Sequence, residues 1–322
     1  MNEIKISDIK GIRVGHAQNV KGATGCTVIL CEKGACAGVD VRGGAPATRE
    51  TEILNPVHMI EKIHGVLLSG GSAYGLDAAA GVMAYLEEKG VGFDVGMGVV
   101  PLVCGASLFD LTLGDFKCRP DKAMGYKACQ NSESEEPKEG NVGAGTGASL
   151  GKLCGSERMM KSGIGIYAIQ VGEVQCAALV AVNALGDVIN LDTGKQMAGL
   201  LSENKREMIS TEKTMVAEIE GNRNIFKGNT TIGCIITNAK LNKSQASKLA
   251  SIAHNGLARV IRPVHTSVDG DTVFVMATGE VEAAADSLGV LSTWVMAKAI
   301  NRAARKAETA YGLKCARDFD LL

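Results

Sequence analysis

The chain has 322 residues, long enough to bury a substantial core as one large domain or two small ones. Its 34 basic and 35 acidic side chains leave a formal charge of −1, so no global field argues for nucleic acid or an anionic membrane, and a small-molecule or short-peptide substrate is the expected partner. Forty glycines against six prolines, with 4% aromatic residues, point to small side chains on closely packed backbone and argue against disorder on any scale.

The N-terminal "MNEIKISDIKGIRVGHA" alternates charged and apolar residues and has no apolar stretch of signal-peptide length, which predicts a cytoplasmic protein. The alternating "TGCTVILCE" and "ACAGVDVRGG", broken by glycine, predict an antiparallel hairpin with Cys26, Cys31 and Cys36 as buried small residues. After the loop "GGAPATRETEILNP", the segment "HGVLLSGGSAYGLDAAAGVMAYLEEKG" predicts a strand, a glycine turn and a helix. That helix carries Leu76, Ala79, Ala80, Met83 and Leu86 on one face and stops at Lys89-Gly90. Two apolar segments at 91–109 follow; they are too short and glycine-rich to span a membrane, which takes roughly 20 residues. The acidic "NSESEEPKEG" at 131–140 reads as a solvated loop. "SGIGIYAIQVGE" and "QCAALVAVNALGDVI" predict two strands, the second closing at Asn183 to Gly186. From about 192 to 229 the pattern weakens, with at most a short helix near Met208 to Glu220. "LNKSQASKLASIAHNGLARVIRP" then places Ala246, Leu249, Ala250, Ala253, Leu257 and Val260 on one helical stripe that ends before Pro263. A strand "DTVFVMATG" and a helix from about Val281 to Glu308 complete a layered α/β or α+β domain.

Several motifs invite chemistry and fail on spacing. "GNVGAGTGASLGK" has Thr146 and Leu153 where a phosphate loop ending at Gly151-Lys152 needs glycine and a hydroxyl, and no strand precedes it as a dinucleotide fingerprint requires. Its glycines still allow backbone amides to approach a substrate or an oxyanion, and Lys152 reads on its own as a solvated charge. Ser72 in "SGGSAYG" does not stand in a Gly-x-Ser-x-Gly elbow. Ten cysteines without a Cys-x-x-Cys pair and five histidines without ligand spacing predict neither metal nor cofactor. His265, in "PVHTSVDGD", lies close to two carboxylates but has no Cys or Ser elbow to pair with.

"FKGNTTIGCIITNAK" places Thr230 and Thr231 where an irregular region enters an apolar strand. A threonine hydroxyl needs a base to act as a nucleophile, and a chain cut before the threonine supplies one as its new α-amine. A mobile loop before the hydroxyl and a rigid strand after it suit such a cut.

The blocks "GVDVRGGAPATRETEIL", "LSGGSAYGLDAAAGVM", "GNVGAGTGASLGK", "GNTTIGCIITNAKL", "AHNGLARVIRPVHT" and "DGDTVFVMATG" resemble, in order and over about residues 11–310, the self-cleaving L-aminopeptidase/D-esterases and β-peptidyl aminopeptidases, a family that includes nylon-oligomer endo-hydrolases. The resemblance implies a four-layer αββα sandwich akin to the N-terminal-nucleophile hydrolases. It implies one domain, 1–322, cut between Asn229 and Thr230 into chains 1–229 and 230–322, and a homotetramer of cleaved protomers. Thr230 matches the nucleophile, Lys152 and Asn183 match an assisting lysine and an oxyanion donor, and Asp269 and Asp271 match the acidic pair that holds the threonine. The segment "PLVCGASLFDL" lacks the Glu and Tyr of the aminopeptidase branch, so amide hydrolysis is implied more broadly than recognition of a free substrate amine. An ornithine-acetyltransferase-type acyl transfer by the same threonine is the alternative.

Overall fold

The computed structural model describes residues 1–134, 136–219 and 228–319. The strands of its largest sheet are β1 (Asn2–Ile4), β2 (Arg13–Asn19), β3 (Thr24–Val41), β4 (Thr48–Arg49), β5 (Ile63–Ser69), β6 (Val103–Ser107), β7 (Ile164–Val171), β8 (Val174–Asn183), β9 (Thr230–Ala239) and β10 (Thr272–Val281). The helices are α1 (Ala78–Glu88), α2 (Lys122–Asn131), α3 (Thr211–Ala217), α4 (Lys243–Val260) and α5 (Ala285–Lys306). The ten strands pair in the order β1-β7-β8-β9-β10-β3-β5-β6-β4, with β2 also on β3.

The long strand β3 is where the ladder folds over. Residues 24–30 pair with β2 and β5, whereas residues 36–41 pair with β10. Two sheets result, and strand alternation gives each an inner and an outer face. Ile29, Val66, Leu68, Leu179, Ile232, Cys234, Ile236, Phe274 and Met276 fill one core between the sheets. On the outer face of the β7–β10 sheet, Val180, Ile235 and Val275 pack against Ala250, Leu257, Val295 and Ile300 of α4 and α5. On the other outer face, Cys26, Val28 and Leu67 pack against Val82, Leu86 and Ala128 of α1 and α2. Three cores separate four layers, helix, sheet, sheet and helix, as the family resemblance implies.

Local departures from expectation have identifiable causes. The hairpin expected between residues 24 and 42 is one continuous strand. Gly34, at φ +72, marks a bulge within the Leu30–Ala35 register shift, because each half of β3 has its own neighbours to satisfy its backbone groups. In α1 the buried stripe is Ala78, Ala79, Val82, Tyr85 and Leu86, turned away from the expected Leu76, Ala80 and Met83. The turn follows from α2, which periodicity did not predict and which crosses α1 so closely that a Cβ on Gly81 would lie 1.9 Å from the Lys122 carbonyl oxygen. The acidic loop is tied down and not merely solvated: Glu133 pairs with Lys89 at 2.7 Å and Glu139 with Arg302 at 2.6 Å. The final helix, expected from about Val281 to Glu308, is α5 at Ala285–Lys306: Val281 ends β10 and residues 282–284 connect the two.

The α4 stripe is buried as its periodicity predicts. Asn242 and Gln245 start this helix with a reciprocal capping box, each side chain accepting the other's backbone N–H at 2.9 Å. The short helix expected near Met208 is α3; residues 220–227 of the stretch before Thr230 lie outside the described residues. Among the described residues no helix is long and apolar enough to cross a membrane.

Candidate active site

Strand directions gather the expected site residues at one end of the β7–β10 sheet. β8 and β9 are antiparallel, which sets Asn183, the last residue of β8, opposite Thr230, the first of β9. β9 and β10 are parallel, so their starts coincide, and Asn229 bridges Asp269 just before β10 begins. Lys152 comes from the glycine-rich segment, which docks on the turn after β8 through Lys152 N–H to the Leu185 carbonyl at 3.1 Å and Ser149 N–H to Asn183 Oδ1 at 3.1 Å. Residues 42–45 run along the acidic pair, with Arg42 N–H on the Asp271 carbonyl at 3.0 Å and Ala45 N–H on the Asp269 carbonyl at 2.8 Å. Thr230, Lys152, Asn183, Asp269 and Asp271 are all buried.

The Asn229–Thr230 junction is polarised from two sides. The Thr230 hydroxyl donates to the carbonyl oxygen of Asn229, and the same oxygen accepts the Gly270 N–H at 2.9 Å. Gly270 is the residue that permits this approach: a Cβ there would lie 2.8 Å from Thr230 Oγ1 and 2.9 Å from the Ala45 carbonyl oxygen. One residue upstream, the Gly228 carbonyl oxygen accepts from Lys152 Nζ at 3.1 Å and Asn183 Nδ2 at 3.3 Å. The lysine and asparagine therefore hold the Gly228 carbonyl, and a backbone N–H holds the Asn229 carbonyl that follows it.

Lys152 is not the solvated charge that its neighbourhood in the sequence suggested. Its ammonium is buried and donates to Asn183 Oδ1 at 2.6 Å, and burial pushes its pKa down to about 7 against the attraction of Asp269 and Asp110. Asn183 faces two ways, with Oδ1 taken by Lys152 and Ser149 and Nδ2 donating to the Phe109 carbonyl at 2.9 Å as well as to Gly228.

The two aspartates, whose relative geometry the sequence leaves open, are bound differently. Asp271 Oδ1 accepts Thr231 N–H at 2.7 Å, and Oδ2 accepts the backbone N–H of His265 at 3.1 Å and its ring Nδ1 at 2.8 Å. Asp269 Oδ2 accepts from the Thr266 N–H and hydroxyl at 2.7 and 2.6 Å. Burial, and then the neighbouring Asp271, raise the Asp269 pKa to about 6, with the Thr266 bonds and Lys152 opposing. An aspartate held by three N–H donors is suited to positioning, and one with a raised pKa is suited to exchanging a proton near neutrality.

Residue reasoning overlooked several members of this cluster. Phe109 and Asp110 arrive from the segment after β6. The Phe109 carbonyl receives Asn183, and Asp110, buried and raised to about 6, accepts Gly71 N–H and the Thr24 hydroxyl at 2.7 Å each. Lys161, fully buried, donates to the Gly145 and Ala148 carbonyls at 3.0 and 2.9 Å and ties together the glycine-rich turn that carries Lys152. His265 and Thr266 stand close to both carboxylates in "PVHTSVDGD", and that proximity in the chain is the signal for the bonds they make to Asp271 and Asp269. Among the described residues no group of three or more His, Cys, Asp or Glu side chains is placed to hold a metal ion.

Comparison with known proteins shows the family. The chain is 42% identical over 298 residues to an uncharacterised aminopeptidase of Mycobacterium leprae, covering 87% of this chain and 80% of that one. It is 30% identical over 320 residues to a 6-aminohexanoate-oligomer endohydrolase of Kocuria sp. (strain KY2), covering 92% and 85%. Its fold matches the L-aminopeptidase D-Ala-esterase/amidase of Ochrobactrum anthropi, described as a variant of the Ntn hydrolase fold, with a TM-score of 0.70 at 17% identity over 94% of this chain and 86% of that one. The model of peptidase family S58 matches residues 4–315, and the chain belongs to that family of hydrolases.

Proposed function

We propose that this hydrolase cuts its own Asn229–Thr230 bond and then uses the exposed Thr230 to hydrolyse linear amides and esters. The observation that carries the reading is the junction itself: the Thr230 hydroxyl lies against the Asn229 carbonyl while Gly270 N–H holds that carbonyl's oxygen at 2.9 Å. A donor already on the oxygen is what developing negative charge requires. Thr230 Oγ1 attacks the Asn229 carbonyl carbon, its proton passes through Asp269 to the peptide nitrogen, and that nitrogen departs as the free α-amine of Thr230. Water then hydrolyses the ester, leaving a carboxylate on Asn229 and a free hydroxyl on Thr230, and the proton released is taken up by the α-amine.

In the cut enzyme the Thr230 amine is the base for its own hydroxyl. Withdrawal of Gly228 frees Lys152 Nζ and Asn183 Nδ2, which now converge on the Gly228 oxygen, to hold a substrate oxygen. Asp271, through Thr231 N–H, keeps the start of β9 in place. Amide hydrolysis is the chemistry common to the names of the relatives above.

Intact mass and N-terminal sequencing of purified protein test the cut. Wild type is expected to yield chains 1–229 and 230–322. Thr230→Ala is expected to stay whole and inactive, and Thr231→Ala to cut. A wild-type chain that stays whole on prolonged incubation, or a Thr230→Ala chain that cuts at the same bond, would sink the reading.

A further inference from the structure

We propose that His265 is a positioning residue for Asp271 and, through it, for the nucleophile-bearing end of β9. The inference rests on the reading of Thr230 as the nucleophile and adds a residue to which nothing above assigns a part.

Three observations carry it. First, His265 grips one carboxylate oxygen twice, through its backbone N–H and ring Nδ1, while the other oxygen of Asp271 accepts Thr231 N–H. The carboxylate only accepts, so Nδ1 carries the proton. The β9–β10 ladder begins at Ile232 and Thr272, so Asp271 stands in for the missing backbone partner at the first rung. Its orientation therefore sets where the chain next to Thr230 lies.

Second, the grip requires an uncommon backbone. His265 sits at φ +57, in the left-handed region that side-chain-bearing residues rarely adopt. In this conformation its N–H and ring reach the same oxygen, and such a conformation persists where its surroundings hold it.

Third, the ring is itself braced. His254 of α4, fully buried, packs its ring edge-on against that of His265 with centroids 4.8 Å apart and an interplanar angle of 72°. His254 Nε2 lies 3.0 Å from the Asp40 carbonyl oxygen of β3 and donates to it. A continuous set of contacts thus runs from β3 through α4 and His265 to Asp271 and the start of β9. Preorganisation by supporting groups of this kind is what holds a reacting atom within a few tenths of an ångström.

Four variants separate the backbone from the donor. His265→Asn tolerates a left-handed φ and keeps an N–H near the position of Nδ1, so it is expected to cut itself at close to the wild-type rate. His265→Gly keeps the conformation and loses the donor, and is expected to slow self-cleavage by on the order of 10- to 100-fold. His265→Gln carries its donor one bond too far and is expected to be slow as well, which keeps the comparison decisive if the glycine variant folds poorly. Asp271→Asn, alone and combined with His265→Gly, closes a double-mutant cycle, in which the pair is expected to be no slower than Asp271→Asn alone. Glycine and glutamine variants as fast as His265→Asn, or fully additive losses in the cycle, would overturn the proposal. Thr230→Ala runs in parallel: if it cuts, the nucleophile assignment itself is wrong, whereas an uncut Thr230→Ala beside a fast His265→Gly removes only the part given to His265.

Discussion

Gly270→Ala is the smallest change that tests the junction geometry. Gly270 lies outside the left-handed region, so alanine fits the backbone and would by itself stabilise the fold by about 0.4–1 kcal/mol through the unfolded chain. The added Cβ, however, would lie 2.8 Å from Thr230 Oγ1, 2.9 Å from the Ala45 carbonyl oxygen and 3.3 Å from Pro46 Cα. Two of the three neighbours are backbone atoms of the loop hydrogen-bonded to Asp269, so the hydroxyl is the group freest to give. Restoring ordinary contact moves it by about half an ångström. A displacement of about 1 Å costs about 10²-fold, so half of that costs about tenfold, or about 1.4 kcal/mol of barrier. Crowding of this kind also costs about 1–3 kcal/mol of stability, enough to offset the gain in the unfolded state. The assay is a time course of freshly purified chain, resolved by intact mass into whole and cut species, with a thermal melt beside it. Self-cleavage at the wild-type rate in a folded Gly270→Ala protein would refute the placement of Thr230 Oγ1 against Gly270.

The pKa shifts predict a bell-shaped dependence of self-cleavage on pH. Asp269 accepts a proton only above about 6, so the rate rises with pH up to there, and Lys152, whose ammonium holds the Gly228 carbonyl beside the scissile bond, loses its charge above about 7, so the rate falls beyond. Asp269→Asn is expected to remove the acid limb along with most of the rate; a residual reaction with the same limb would count against Asp269 as the base. Lys161→Met removes the donor from the carbonyls of Gly145 and Ala148, and is expected to destabilise the uncut Thr230→Ala chain by about 3 kcal/mol in denaturant unfolding, with unchanged stability as the contrary result.

Periodicity made much of the architecture legible. The α4 stripe from Ala246 to Val260 and the strands that became β7, β8, β9 and β10 could be read directly, because 3.6-residue and continuous apolar patterns report burial locally. The continuity of β3 could not, since whether Gly34 turns or bulges depends on the strands available on either side. The helix α2 was hidden because its buried face is only Gly125, Ala128 and Cys129, a stripe too short for a periodic signal.

The candidate site divides along the same line. Thr230 at the mouth of an apolar strand and the Asp269-Gly270-Asp271 run were visible as residue types in order, and family resemblance singled them out among several motifs that failed on spacing. Their convergence was not, because Asn183, Thr230 and Asp269 meet only where β8 runs antiparallel and β10 parallel to β9. The burial of Lys152, the raised pKa of Asp269 and the grip of His265 on Asp271 are likewise products of packing. Local composition states which groups a chain owns. Desolvation and hydrogen-bond partners, which come from residues distant in the chain, decide what those groups can do.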